Sequence, residues 1–334
     1  MSGKALSGKA KVVLTDYVWD SLDVEHRTLD GIADLVPFKA AAPAEFLEQA
    51  ADCDALLNTY AGPITAEVIG RMPNCKVIAR YGIGVDTIDL LAATEAGIIV
   101  TNNPTYCVDE VAEHAMALML AAARKIAFYD RRVRAGEWAV PPGKPMARLA
   151  GKTLGLVGFG NIARKVAARA AAFDMRVLFS DPFVESGRFA VPGEKQELEA
   201  VLEQADFLSV HPPLTTVTRG LIGDEAFARM KPSSILINVA RGPIVDTAAL
   251  VRALDAGRIA GCALDTTDPE PLPDPHPLRG RENVIITPHA AWYSEEAMVG
   301  LQSGAPSEVR RVLSGEWPIN VVNPAVKGRN RAGL

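Results

Sequence analysis

Residues Thr153-Leu154-Gly155-Leu156-Val157-Gly158-Phe159-Gly160-Asn161-Ile162-Ala163 decide the fold. The first five form a short apolar run bounded by glycine, which reads as a strand buried on both faces of a parallel sheet. Gly158 then permits a tight turn, Gly160 leaves the backbone approachable, and Ala163 lets a helix over Arg164–Phe173 pack close to the strand. The helix start, at Asn161 and Ile162, presents free N–H groups suited to a pyrophosphate. Asp181 closes the next strand about twenty residues on, where a carboxylate can take both hydroxyls of a ribose. Pro182 and Phe183 follow it, with no adjacent base to receive a 2′-phosphate. This corner therefore points to NAD(H), preferred over NADP(H).

Working outward, strand-like and helix-like runs alternate along the whole chain, as parallel sheets with helices on both faces require. Downstream strands are expected at Arg176–Ser180, Phe207–Val210, Ile235–Asn238, Gly261–Leu264 and Val284–Thr287. Upstream, Lys11–Leu14, Ala55–Asn58, Lys76–Arg80 and Ile98–Thr101 predict a smaller α/β sheet, with helices over Pro43–Ala50, Ile64–Arg71 and Thr87–Ala96. A long helix is predicted over Asp109–Phe128. Acids open it, and its middle is apolar on nearly every face, as in a helix buried all round. Glu110 and His114 lie one turn apart on it but do not make a zinc motif, so no metal is expected. An irregular arm over Arg131–Leu149 and a second long helix over Ser294–Ser314 complete the plan. The ends, Met1–Lys9 and Lys327–Leu334, read as loose tails.

The chain has 334 residues, enough for two domains, with 49% hydrophobic and 22% charged residues. A formal net charge of −5 offers no basic stripe for nucleic acid. No apolar run reaches a membrane span, and the N-terminus lacks a secretory apolar core. Cys53, Cys75, Cys107 and Cys262 form no paired motif and read as reduced thiols of a cytoplasmic protein.

Three further residues carry chemistry. Arg241, in Asn238-Val-Ala-Arg-Gly, follows a strand at the edge where α/β sheets bind ligands; its guanidinium can hold a carboxylate and polarise a keto oxygen. His289, in Thr287-Pro-His, can give a proton to a developing alkoxide or take one back. Glu270, in Asp268-Pro-Glu-Pro, would orient the His289 ring and stabilise its imidazolium if the two touch. A cation, a carboxylate and an imidazole beside a dinucleotide turn suit reversible hydride transfer to a 2-keto acid. His211, in Val210-His-Pro-Pro, is expected with Pro212 to shape the nicotinamide pocket, while His26 and His276 read as solvated.

Taken together, these residues resemble the D-isomer-specific 2-hydroxyacid dehydrogenases over nearly the whole chain. The resemblance implies an Arg241–Glu270–His289 catalytic set and cofactor contacts at Gly158, Gly160, Asn161, Ile162, Asp181, His211, Pro212 and Ala240. Asp265, in Ala263-Leu-Asp, is implied to hold the nicotinamide amide. It further implies two Rossmann-like or flavodoxin-like doubly wound domains with a cleft closing between them. The substrate domain would be discontinuous, residues 1–103 plus 290–334; the NAD-binding domain, residues 104–289, would include a dimerising helix and arm. Arg80, Tyr81, Gly82, Ile83 and Gly84 match the family's substrate-carboxylate loop, with the Ile83 and Gly84 amides as an anion nest. Arg80 and His289-Ala-Ala-Trp-Tyr-Ser-Glu-Glu resemble the C-terminal-binding protein branch, which would set Trp292 against a substrate side chain of medium size and no charge. The partner is then a small 2-keto or 2-hydroxy acid, with no nucleic acid or membrane, and the protein a homodimer. Three alternatives stay open: an NAD(H)-gated, corepressor-like binding protein, a D-3-phosphoglycerate dehydrogenase, and an enzyme for another hydride donor such as phosphite or formate. The loop Leu57–Pro63 lacks the arginine that phosphoglycerate dehydrogenases use for phosphate, and an inorganic donor would leave Trp292 no side chain to contact.

Overall fold

The computed structural model describes residues 8–185 and 187–334. The chain divides into two compact units, Met1–Cys107 with Ser294–Leu334, and Val108–Tyr293. The divisions fall a few residues beyond those expected from sequence. The first seven residues of the expected N-terminal tail lie outside the described residues.

The first unit is a five-stranded parallel sheet. Its strands are β1 (Ala10–Leu14), β2 (Ala33–Pro37), β3 (Ala55–Asn58), β4 (Val77–Arg80) and β5 (Ile99–Thr101), in the order β2-β1-β3-β4-β5. Helices α1 (Asp23–Leu29), α2 (Leu47–Ala50), α3 (Ala66–Gly70) and α4 (Leu90–Glu95) connect them. The returning helix, Glu295–Leu313, is the eleventh of the chain (α11) and packs on α1, β3 and β4. Val13, Phe46, Leu56, Ile64, Met72 and Ile78 centre the core.

The second unit holds seven parallel strands: β6 (Thr153–Val157), β7 (Arg176–Ser180), β8 (Glu194–Lys195), β9 (Phe207–Val210), β10 (Ile235–Asn238), β11 (Gly261–Leu264) and β12 (Val284–Ile286). Their order, β12-β11-β10-β9-β6-β7-β8, reverses direction between β6 and β9. Such a switch point opens a crevice at the carboxyl ends of the strands, where ligands bind. The helices are α5 (Val108–Ala123), α6 (Ile126–Arg134), α7 (Asn161–Ala171), α8 (Leu198–Gln204), α9 (Asp224–Arg229) and α10 (Thr247–Asp255). Both units have the parallel-sheet α/β class expected from sequence.

Four local expectations are corrected. The long helix over Asp109–Phe128 is two helices: α5 stops at Ala123, Lys125 adopts a left-handed conformation (φ 53°), and α6 starts anew at Ile126. One left-handed residue ends an α-helix by redirecting its next N–H. The arm expected to be irregular from Arg131 is helical to Arg134. The tail at Lys327–Leu334 is docked: Arg331 N donates to Gly97 O at 2.8 Å, and its Nη1 to Met72 O at 2.8 Å. His26, read from sequence as a solvated loop residue, is exposed but lies on helix α1. Strands β2 and β8 and helix α1 were not expected at all.

Candidate active site

The nucleotide corner forms as the glycines require. Gly158 has φ 82°, and a Cβ there would sit 3.0 Å from Pro212 N, so only glycine lets the β6 turn pass the end of β9. A Cβ on Gly160 would meet nothing within 4 Å, and α7 begins there without a side-chain cap. Uncapped amides facing open space, at a switch point, fit a dinucleotide pyrophosphate. Asp181 reaches the same turn: its carboxylate accepts from Phe159 N at 2.7 Å and from Phe183 N at 2.8 Å. His211 lies beside it, its Nε2 2.8 Å from Ser209 Oγ. Burial pushes the His211 pKa down to about 3, so it is neutral at physiological pH and acts by shape and hydrogen bonding.

Arg241 follows β10. Asn238, the last strand residue, braces the turn: its Nδ2 donates to Arg241 O at 2.9 Å, and its Oδ1 accepts from Ala240 N at 3.0 Å. Gly242 makes the turn possible, because a Cβ there would meet Thr267 O at 1.9 Å. The Arg241 turn therefore presses directly on the loop that leads to Glu270. Arg241 itself is half-buried, with Nη1 donating to Ala240 O at 2.8 Å.

His289 and Glu270 are brought together. The His289 Nδ1 lies 2.6 Å from Glu270 Oε1, and both side chains are partly exposed, 27% and 42%. A carboxylate only accepts, so Nδ1 carries the proton and Nε2 is left for acid–base work. His289 is one of three non-glycine residues with positive φ among those described, at 54°. Such a backbone persists only where its surroundings over-determine it.

Asp265 supplies that determination. Its backbone oxygen accepts from His289 N at 2.8 Å. Its buried carboxylate accepts from Ala290 N at 2.9 Å, Ala291 N at 3.0 Å and Thr287 Oγ1 at 2.5 Å. The residue that the resemblance gave to the nicotinamide is thus the anchor of the loop bearing His289.

The loop Arg80–Gly84 stands at the end of β4 in the first unit. Arg80 is buried, its Nη1 2.7 Å from Tyr81 O and its guanidinium 5.7 Å from the Tyr60 ring centroid. Asn103 N donates to Gly82 O at 2.9 Å and Asn102 Nδ2 to Ile83 O at 2.7 Å, so the loop's carbonyls are tied back. The Tyr81 ring packs 4.8 Å from that of Trp19, and its hydroxyl donates to Glu25 Oε1 at 3.3 Å. Trp292, in the second unit, sits edge-on to Tyr293 at 5.5 Å.

Sequence reasoning missed Asn238, Thr287 and His114. Asparagine ending a strand two residues before a turn amide is a recognisable brace. His114 is on α5, yet its Nε2 lies 3.0 Å from Thr287 Oγ1 across 173 residues of sequence, a contact no local pattern announces. No metal-holding group of side chains occurs among the described residues, and none of their helices is long and apolar enough to cross a membrane.

Comparison with known proteins adds a family. Residues 116–291 match the NAD-binding domain of the D-isomer specific 2-hydroxyacid dehydrogenases. A glyoxylate reductase of Korarchaeum cryptofilum is 41% identical over 307 residues, covering 90% of this chain and 91% of its own. A D-3-phosphoglycerate dehydrogenase of Mycobacterium leprae is 40% identical over 301 residues, but the match spans only 55% of that protein. The crystal structure of a glyoxylate reductase from Paecilomyes thermophila superposes with a TM-score of 0.87 at 29% identity, covering 94% of this chain and 98% of the other.

Proposed function

Since the chain belongs to the D-isomer specific 2-hydroxyacid dehydrogenase family and is an NAD-dependent oxidoreductase of CH–OH groups, we propose that it interconverts a D-2-hydroxy acid and its 2-keto acid with Arg241, Glu270 and His289 as the reacting set. The observation that carries this assignment is the 2.6 Å contact of His289 Nδ1 with Glu270 Oε1, which leaves Nε2 for proton transfer.

NADH held at the Gly158 turn supplies the hydride. The Arg241 guanidinium binds the substrate carboxylate and stabilises the oxygen as charge develops on it. His289 gives its Nε2 proton to that oxygen in reduction and recovers it in oxidation. Glu270 holds the ring in the required tautomer and offsets the imidazolium charge. The Ile83 and Gly84 amides are assigned to the substrate carboxylate as an anion nest. Trp292 is assigned to the substrate side chain, and Arg80 and Tyr81 to the substrate-binding loop. Gly160, Asn161 and Ile162 receive the pyrophosphate, with His211, Pro212 and Ala240 lining the nicotinamide pocket. Asp181 would repel a 2′-phosphate, which supports NAD(H) over NADP(H).

The substrate is a 2-keto acid with an uncharged side chain of medium size; glyoxylate, in the names of two relatives, has no side chain and is the compound that tests this size assignment. Arg80 and the residues around Trp292 support a place near the C-terminal-binding protein branch. Ile126, Val133, Trp138 and Val140, on α6 and the following arm, are each exposed, Trp138 at 90%, and this segment is assigned to contact with a second copy of the chain. Four free, buried cysteines support a reducing compartment, the cytoplasm.

The test is NADH oxidation with glyoxylate, pyruvate, hydroxypyruvate, phenylpyruvate and 3-phosphohydroxypyruvate, with His289→Ala and NADPH as controls. Turnover of keto acids with uncharged side chains that His289→Ala abolishes is expected. Turnover of the phosphorylated acid alone would replace this assignment by phosphoglycerate oxidation. NADH binding without any turnover would replace it by a cofactor-gated binding protein.

A further inference from the structure

We propose that His114 is a positioning residue for His289, acting through Thr287 and Asp265 from the rigid helix α5. The proposal rests on the acid–base role given to His289 above.

The direction of the hydrogen bonds follows from donor count. Thr287 has one hydroxyl proton, and its 2.5 Å contact with Asp265 Oδ1 sends that proton to the carboxylate, which can only accept. The 3.0 Å contact between Thr287 Oγ1 and His114 Nε2 must then run the other way, with His114 donating. His114 Nε2 also lies 3.5 Å from Asp265 Oδ1, so the ring sits against the same carboxylate. The Asp265 carboxylate in turn holds the Ala290 and Ala291 amides, while its backbone oxygen holds His289 N. An unbroken chain of bonds thus runs from His114 to the backbone on both sides of the strained residue His289.

The anchor for this chain is firm. Helix α5 runs for sixteen residues and packs on α7, β10 and β11. Asp109 at its start pairs with Lys165 at 2.7 Å and Arg169 at 2.9 Å, both on α7. His114 therefore ties the reacting loop to the element that also packs behind the nucleotide helix. A loop held at φ 54° against its own preference relaxes when one of its few restraints goes, and an imidazole displaced by a fraction of an ångström loses its line to the substrate oxygen.

The experiment compares His114→Ala, His114→Gln, Thr287→Val and the double variant His114→Ala/Thr287→Val. Turnover with the best keto acid, KM for NADH, thermal midpoint and the NMR titration of His289 are read for each; with five histidines in the chain, the imidazole signals can be assigned by substitution. His114→Ala and Thr287→Val are each expected to lower kcat about tenfold with KM for NADH little changed. The double variant is expected to be no worse than either single one, because both break one chain. His114→Gln, whose amide can still donate to Thr287, is expected to regain most of the rate. The His289 resonance should move in His114→Ala, and this readout needs no turnover. Unchanged kcat and an unchanged His289 titration in both single variants would overturn the proposal, as would equal losses in His114→Ala and His114→Gln that track the thermal midpoint. A wild-type protein inert toward every keto acid would instead remove the function assigned above, while the His289 titration still decides whether His114 positions it.

Discussion

The two sheets are built alike and end differently. In the first unit β1 and β3 are neighbours across the reversal of strand order; in the second, β6 and β9 are. Both pairs should open a crevice at their carboxyl ends. The first crevice is closed by the chain itself. Asp16, buried just beyond β1, accepts from Tyr60 N at 2.6 Å, Thr59 N at 3.1 Å and Thr15 Oγ1 at 2.6 Å. In the second crevice a carboxylate, Asp181, takes the Phe159 amide, but the amides that open α7 are left without a side-chain cap, because Gly160 carries no side chain. Two sheets of the same class therefore differ in how their switch points are covered: Asp16 takes the amides in the first, and no side chain caps the α7 amides in the second.

Converting one crevice into the other gives the largest expected effect. Gly160→Asp would place a carboxylate over the α7 amides, in the manner of Asp16, with no neighbour within 4 Å of the new Cβ to force a shift. NADH affinity, followed by the quenching of NADH fluorescence, should fall on the order of 100-fold through lost anion contacts and like-charge repulsion. The thermal midpoint should hold. An NADH affinity within a factor of two of wild type would mean that the pyrophosphate does not lie on this helix. The reverse change is next in size. Asp16→Ala leaves the Thr59 and Tyr60 amides without their acceptor, and stability in urea should drop by about 2–4 kcal/mol. A loss below about 0.5 kcal/mol would show that water serves the first crevice as well as Asp16 does.

The same contrast explains what the sequence made legible. Thr153–Ala163 announces its crevice because glycine has few reasons to recur beside a strand, whereas Asp16 in Leu14-Thr-Asp-Tyr looks like any polar turn. Ten strands were readable because they are short apolar runs, most of them buried along their length. Edge strand β2, with Asp34 and a closing Pro37, lacks that signal, and β8 is two charged residues long. Helix α1 was hidden because Glu25 occupies a buried position on it that patterning expects to be apolar. The break at Lys125 was invisible because lysine carries no bias toward the left-handed conformation it adopts. In the site, the types and order of Arg241, Glu270 and His289 were readable; Asn238 was readable too, from contacts two and three residues away, and was missed, whereas Thr287 and His114 were not, because their contact spans 173 residues and follows from the fold.

His211 at the second crevice gives the third effect, through acid. Its pKa is about 3 in the folded protein against 6.5 unperturbed, so the native state resists a proton that the unfolded chain takes up. Stability contributed by the neutral ring is present above pH 6.5 and is lost as pH falls below that value toward 3. At pH 4.5 the loss should be about 2–3 kcal/mol relative to pH 7. His211→Asn should flatten this slope in urea denaturation. A variant with the wild-type slope would assign the acid sensitivity to other groups.

The smallest effect belongs to the first unit and has the opposite sign. Glu25 is buried beneath Tyr81, and burial raises its pKa above 4.5, against the opposing pull of hydrogen bonds from Tyr81 and Gln302 and of neighbouring His26. Its Oε2 has no hydrogen-bond partner among the described residues. The folded protein thus keeps a proton that the unfolded chain releases, so stability falls as pH rises through the window that opens near pH 4.5. Glu25→Gln keeps the shape and the acceptor for Tyr81 but cannot ionise. It should be slightly more stable than wild type at pH 7, equal to it at pH 4, and should keep the Arg80–Gly84 loop in place. A Glu25→Gln protein less stable at pH 7 than at pH 4, relative to wild type, would mean that the carboxylate is stabilised under Tyr81 and that burial does not decide its charge.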